Sequence, residues 1–553
     1  MQSHVGAAPL ISSTKALIAS FLLLVATRVA AVDTIPILWE AGGLSAGTSS
    51  AGQAARLTAD AVGNLAVVSG PSEARDLAVT SYTATGSFRW KTAVSPSSGT
   101  FAGDWVAAAP NGDFVAVGHN VSSSSGNPIA ITLIRLGSDG TLLWRVDLAR
   151  TLPSVGRLLV DSGGNAYLAF NSVGDGQDIQ LHAYDPAGVL LWSQVVTTGV
   201  FANNIATSLA LSADETEVAI TGDTIGGAEW ITALYDTATG NRHWLVTAAE
   251  GSAALDVVID DSRVYVTGQG SIGITGYLPV VALDRATGAR QWRVDRKPAD
   301  GASAAGLRMA MAPDGSFVVT GQASRGFLDW YTVAFETTGA VRWEAVRDGG
   351  LNTDEIPAGL IVLADGTSVV SGKGGPNLPG GYIPGVTAGY SADGTLQWEA
   401  FSPLATVWVT GPPNGDVCAT GGYDAYLACF RPSPVMIGTV PDGSLTAGPP
   451  LRLNRNPDGS LSLSWGRSCV PADSDYAVYE GSLRRPFSQH VPLDCFTGGL
   501  IAARVTPSAG STYYLVVAHD SFFEGSYGSD SGGSPRDAGP LQCLPAAGIL
   551  GCP

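Results

Sequence analysis

The stretch YLPVVALDRATGARQW, residues 277–292, decides the fold. Its first half is an apolar strand, its middle a polar turn ending on Gly288, and its last residues a second strand carrying Trp292. The same spacing, a glycine and then a tryptophan four residues on, occurs seven times: Gly86/Trp90, Gly140/Trp144, Gly188/Trp192, Gly240/Trp244, Gly288/Trp292, Gly339/Trp343 and Gly394/Trp398. Trp39 lies one period earlier without its glycine. The intervals from Trp39 onward are 51, 54, 48, 52, 48, 51 and 55 residues, which is the length of a four-stranded propeller blade.

A second element keeps step with the first. It is a polar turn followed by an alternating strand, as in DAVGNLAVVSG (60–70), APNGDFVAVG (109–118), APDGSFVVTG (312–321) and PPNGDVCATG (412–421), eight copies in all. Asn-Gly and Asp-Gly supply the positive φ that tight hairpins need, and the β-branched residues after them suit a pleated strand. Eight tryptophan strands and eight turn strands predict an all-β, eight-bladed β-propeller over residues 32–431. The last blade lacks a glycine-tryptophan strand and the N-terminal VDTIPILWEAGG holds the unpaired Trp39. The N-terminal strand is therefore expected to complete the last blade and close the ring, leaving no open sheet edge.

The repeats ALDRATGARQW and LYDTATGNRHW resemble the tryptophan-docking repeat of pyrroloquinoline-quinone-type propellers, and degenerate copies such as APDGSFVVTG…DWYTVAFETTGAVRW are similar to bacterial β-propeller repeats. The resemblance implies that each tryptophan packs near the glycine turn of the next blade, so Trp39, Trp90, Trp144, Trp192, Trp244, Trp292, Trp343 and Trp398 are expected to be structural. Quinoprotein dehydrogenases of that group would imply a quinone, a bound calcium and often adjacent cysteines. No Cys-Cys pair exists here.

Ahead of the repeats, Lys15, the apolar run Ala16 to Ala26 and the small residues Val29 and Ala31 form a secretory signal peptide, residues 1–31. No other stretch approaches the ~20 apolar residues of a membrane helix. The net charge of −18 with few basic clusters speaks against electrostatic binding to nucleic acid or an anionic membrane. The expected location is secreted, periplasmic or on the cell surface, and the expected state a monomer.

Beyond the repeats, residues 432–449 are rich in Pro and Gly and read as a linker. LSLSWGRSC, DYAVYEGSL and STYYLVVAHD then resemble strands of a fibronectin type III-like β-sandwich over 450–541, followed by a tail, 542–553. All six cysteines lie after residue 417, an even number in an exported chain. Cys418 and Cys429 sit symmetrically about Tyr423-Asp424 and are expected to bridge the last hairpin. Cys469 and Cys495 flank the edge of the second domain, and closure of Cys543 onto Cys552 in the tail is one option; six cysteines permit fifteen pairings, so connectivity beyond the first pair stays open.

Local matches to catalytic motifs fail on context. Gly43-Leu-Ser45-Ala-Gly47 fits a nucleophile elbow but sits in a glycine-rich loop rather than between strand and helix. SDSGGSP (529–535) echoes a trypsin-like segment around Ser531, yet His519-Asp520 lies only eleven residues upstream. SGKGG (371–375) lacks the spacing of a phosphate loop. In SADGTLQW (391–398) Asp393 and Gly394 are adjacent, unlike a sialidase Asp-box. The histidines are scattered without ligand spacing, so neither a catalytic residue nor a resident metal is expected.

One constellation repeats. Asp76, Asp178, Glu229 and Asp329 open the same strand of their blades about fourteen residues before the tryptophan, and Asp424 occupies the corresponding place in the last blade. Such residues serve either as caps of strand-start amides or as a carboxylate collar for Ca²⁺ or a cationic ligand. The sequence thus points to an exported non-catalytic binding or scaffold protein with a protein or carbohydrate ligand, the alternative being a quinone-type oxidoreductase using the central channel.

Overall fold

The structure is a computed structural model that describes residues 33–35, 37–41 and most of 56–549, leaving out short stretches such as 70–75, 122–127, 173–177, 225–228, 375–383 and 422–425. The signal segment 1–31 lies outside the described residues. Strands dominate throughout and no helix is present among the described residues.

From Arg56 to Phe430 the strands fall into eight sheets, each an antiparallel run of four in sequence order, with the N-terminal strand supplying the fourth member of the last. The first two strands of a blade meet at the Asn-Gly or Asp-Gly turns. In the second blade Ala109 N donates to Asp113 O at 2.8 Å and Gly112 N to Ala109 O at 3.0 Å, with Gly112 at φ +84°. The middle strands are buried on both faces, as in 77–82, whereas the outermost strand alternates, as in 190–196, where Trp192 turns inward and its neighbours face solvent.

The blades are held to each other by apolar seams. Each of eight clusters takes residues from two neighbouring blades. One of them joins Cys418, Leu427 and Cys429 of the last blade to Leu57, Leu65, Val67 and Tyr82 of the first, with Trp39 packed against it. The ring is therefore closed, and the N-terminus closes it. Ile37–Ala41 pairs antiparallel with 427–430, setting Trp39 opposite Cys429, while Asp33 and Thr34 add in parallel to the outer strand of the preceding blade at Trp398 and Glu399.

Tryptophan docking explains the glycines. A Cβ added at Gly288 (φ +73°) would stand 2.7 Å from Cδ2 of Trp244, the tryptophan of the preceding blade. The same approach brings Trp39 to Gly86, Trp90 to Gly140, Trp144 to Gly188, Trp192 to Gly240, Trp292 to Gly339 and Trp343 to Gly394. Only glycine offers both the left-handed backbone and the room for an indole face. The indole N–H then donates to a carbonyl in the same turn, as Trp244 Nε1 does to Arg285 O at 2.8 Å. Trp398 has no such turn ahead of it and packs over Gly389 of its own blade.

The C-terminal unit has two three-stranded sheets, one from 452–455, 461–464 and 502–505 and one from 475–482, 490–494 and 512–519. Trp465, Tyr476, Val478 and Val516 fill the space between them. Cys418 and Cys429 are bonded, as are Cys495 and Cys543. The latter bond replaces the option of Cys543 closing onto Cys552. The tail does not stand off as its own loop: Gly539 N donates to His490 Nε2 at 3.0 Å, Cys543 N to the Tyr479 hydroxyl at 2.9 Å and Leu544 N to Glu524 at 3.1 Å. These contacts lay the tail across the sheet edge where Cys495 ends a strand. Cys469 is disulfide-bonded as well, and Met436–Ile437, from the expected linker, pairs with Gly548–Ile549 of the tail.

Candidate functional site

The innermost strand of each blade lines the axis, and it carries an irregularity in register that recurs from blade to blade. Pairing slips between Gly103 and Trp105, Val155 and Arg157, Ala206 and Ser208, Ala254 and Asp256, Gly306 and Arg308, Pro357 and Gly359, and Thr406 and Trp408. A bulge of this kind unpairs one residue from the ladder and re-aims the side chain next to it. The residues after the bulge, with Arg56 in the first blade, form a ring of one per blade: Arg56, Trp105, Arg157, Ser208, Asp256, Arg308, Gly359 and Trp408. All but Gly359 line one axial cavity of about 190 Å³.

Three guanidinium groups gather around one indole. The Cζ atoms of Arg56, Arg157 and Arg308 lie 4.9, 5.9 and 5.9 Å from the Trp408 ring centroid, and Arg56 and Arg157 also approach Trp105 at 4.8 and 5.4 Å. Trp105 and Trp408 meet edge to face with centroids 5.0 Å apart. Cation–π attraction of this sort holds a desolvated guanidinium flat without neutralising it. The carbonyls released by the bulges complete the hold: Arg308 Nε donates to Ala358 O at 3.0 Å and its Nη1 to Leu307 O at 2.7 Å, while Arg56 Nη1 reaches Val407 O at 3.4 Å. Arg56 Nε is buried without a partner among the described residues.

One carboxylate joins them. Buried Asp256 accepts from Ser208 Oγ at 2.6 Å, from Arg157 Nη1 at 3.2 Å and from Met309 N at 2.9 Å. One carboxylate against three guanidiniums leaves the cavity with an excess of positive charge inside a chain of net charge −18. Burial, reinforced by Arg308 and Arg157, pushes Arg56 down to about 9, still cationic at neutral pH. Burial also lowers Arg308. Beside the ring, the bulge residue Asp104 faces His119 at 2.8 Å. Burial raises the Asp104 carboxyl, and although burial alone would lower the imidazole, its bond to Asp104 raises it, so the pair holds on to a proton.

A family model described as outer membrane protein assembly factor BamB matches residues 26–276 and 279–414, more than half of the chain. The chain belongs to that family. No curated protein matches it. Among solved structures, BamB from Moraxella catarrhalis is similar at 18% identity over 71% of this chain and 100% of that one, with a TM-score of 0.41. The Dos1 propeller follows at 9% identity, 72% and 95% coverage and 0.49, and the quinohemoprotein alcohol dehydrogenase of Comamonas testosteroni at 12%, 77% and 79%, and 0.46.

Within this BamB-family propeller the carboxylates singled out by the repeats do not converge. Asp76 and Asp178 are half-buried and Glu229 is exposed, each just ahead of the third strand of its blade. Glu229 N is tied to Thr224 Oγ1 at 3.2 Å, and the Asp178 carbonyl accepts from Ser172 N at 3.0 Å. Buried Asp329 pairs with Arg325 at 3.2 Å, and burial followed by Asp348 raises its carboxyl. The third strand lies two strands out from the axis, roughly 10 Å from the inner one at ordinary strand spacing, so blade symmetry spreads these groups around a wide circle. Among the described residues no three His, Cys, Asp or Glu side chains come together as a metal site. Asp424, Ser45 and Ser531 lie outside the described residues.

The quinone and calcium implied by the dehydrogenase resemblance do not fit the ring. Calcium takes six to eight oxygen ligands, whereas the cavity offers one carboxylate, which is already paired with Arg157, and three cations that repel the ion. A flat quinone would need a free indole face, and Trp408 has three guanidiniums against it. The ring members follow one another at intervals of 48 to 52 residues along the inner strands, but the residue type changes at every blade, so the sequence alone carries no recurring residue that marks them.

Proposed function

We propose that the chain is an exported, non-catalytic binding protein of the BamB family. The observation that carries this reading is the make-up of the axial ring. It assembles guanidinium and indole groups, which recognise ligands, around one carboxylate, Asp256, that is itself held by Ser208, Arg157, Val257 and Met309, and a carboxylate stabilised by hydrogen bonds and a cation is a weak base. The disulfides and the signal-like segment favour export to a periplasmic or extracellular site. The C-terminal unit, whose strands resemble a fibronectin type III-like sandwich, then acts as a spacer or adhesion module. A propeller face meets a protein or carbohydrate partner.

Reconstitution tests this against the oxidoreductase alternative. The purified chain is incubated with pyrroloquinoline quinone and Ca²⁺, desalted, and assayed by absorbance and by dye reduction with alcohols. The expected result is no dye reduction, whether or not the quinone, itself a polycarboxylate, is retained. Stoichiometric retention with turnover would overturn the proposal.

A further inference from the structure

We infer that the axial ring is a receptor site for a compact multivalent oxyanion, a polycarboxylate or a phosphate, held by the N–H edges of Arg56, Arg157 and Arg308. Three independent features lead there. The first is charge: three guanidiniums face a cavity that contains a single carboxylate, Asp256, which is bound to Ser208, Arg157 and Met309. Like charges gathered in a desolvated space repel, and an anion is the species that relieves them.

The second is orientation. The guanidiniums lie over the indoles of Trp105 and Trp408, and the N–H groups not already bound to Val407 O, Asp256, Ala358 O or Leu307 O are left to pair with carboxylate and phosphate oxygens. The indoles thus position the arginines and leave no stacking surface for a flat ring. Arg56 Nε, buried and without an acceptor among the described residues, is a donor waiting for one. The third is size. A cavity of about 190 Å³ suits a small metabolite or inorganic anion rather than a peptide or oligosaccharide.

The ring is built for this by the bulges. Without them the inner-strand side chains would alternate in and out at each blade, and the carbonyls of Leu307, Ala358 and Val407 would be bound in the ladder instead of holding Arg308 and Arg56. Five of the eight blades contribute an arginine or tryptophan at this one position. The remaining three place the residues that finish the site: Ser208 and Asp256 fix Arg157, and Gly359 leaves open space.

The inference deepens the binding-protein reading, and its test is separate. Calorimetric titration of the full chain uses citrate in one arm and inorganic phosphate in the other, with sodium chloride at matched ionic strength and a neutral sugar as controls. The expected result is one saturable site for at least one oxyanion, the tighter arm naming the source, with affinity falling as salt rises. Arg308→Gln and Arg157→Gln should each weaken it by about tenfold or more, the value of one charge-assisted pair. Neither anion saturating at millimolar concentration would overturn the inference, as would unchanged affinity in both variants. If Arg308→Gln does not melt cooperatively, Arg157→Gln decides alone. Failure here leaves the binding-protein reading standing, which falls only if quinone turnover is found.

Discussion

The outer and inner strands of each blade obey the same repeat and use it in opposite ways. On the outside seven of the eight tryptophan strands repeat one device, an indole laid on the glycine turn of the neighbouring blade, and six of these contacts have nearly the same geometry. On the inside the equivalent position changes at every blade, from arginine to tryptophan to serine to aspartate. Repetition marks what each blade must do for the ring, whereas departure from repetition marks what the ring as a whole does. Strain applied outside should therefore change stability, and strain applied inside should change binding.

The strongest way to break this comparison is at the closure. Removing residues 33–41 takes away the fourth strand of the last blade and the indole that packs on Gly86. Loss of a fully buried tryptophan costs about 3–5 kcal/mol, an upper bound for half-buried Trp39, and an open sheet edge invites aggregation. Differential scanning calorimetry should show Tm lower by on the order of 10 °C or a loss of cooperativity. An unchanged Tm would refute closure by this strand. Next comes the Cys418–Cys429 bridge in the same blade. Replacing both by Ala should cost ~2–3 kcal/mol, less if the hairpin persists in the reduced chain. Equal urea midpoints for the two proteins would show that the strand pairing alone staples the last blade.

How much of this was legible in the sequence follows from the same contrast. The glycine-tryptophan spacing, the Asn-Gly turns and the unpaired Trp39 can be read without coordinates because identical neighbours impose identical residues. The axial ring could not be found that way. Its members share a register and a bulge but no residue type, and a bulge is invisible until the pairing is known. The charge that does repeat, at Asp76, Asp178, Glu229 and Asp329, stands at or just ahead of the third strand of its blade, away from the inner strand, while Asp424 lies outside the described residues. The pairing of the tail cysteines stays open in the sequence for a related reason. Cys543 and Cys552 are near in sequence, while the bonds of Cys543 N and Leu544 N to Tyr479 and Glu524 that carry the tail to Cys495 are long-range.

Two smaller effects sharpen the comparison. Gly288→Ala places a methyl 2.7 Å from Trp244 at φ +73°, whereas Gly315→Ala, at φ +86°, meets nothing within 4 Å. The first should cost about 2–4 kcal/mol in chemical denaturation, from overpacking added to backbone strain, and the second only about 1–2 kcal/mol from the backbone alone. Equal losses would mean that the indole contact contributes nothing. The smallest effect concerns His119. Its folded pKa is raised above 6.5, so its contribution is fully present below about pH 6.5 and is lost as pH rises through the folded value. The parent protein should lose stability across that window and His119→Gln should be flatter. A parallel pair of Tm–pH curves would remove the buried Asp104–His119 proton from the account.

The most direct measurement sets the two regions against each other in one experiment: Tm and citrate affinity recorded together for Gly288→Ala and Arg308→Gln. The account predicts that Gly288→Ala lowers Tm while the folded fraction binds as the parent does. Arg308→Gln should weaken binding by about tenfold or more while lowering Tm less than Gly288→Ala does, because the loss of its bonds to Ala358 O and Leu307 O is offset by the removal of one of three repelling charges. Variants that shift both quantities in proportion would contradict the division between a ring that holds the fold and a ring that holds the ligand.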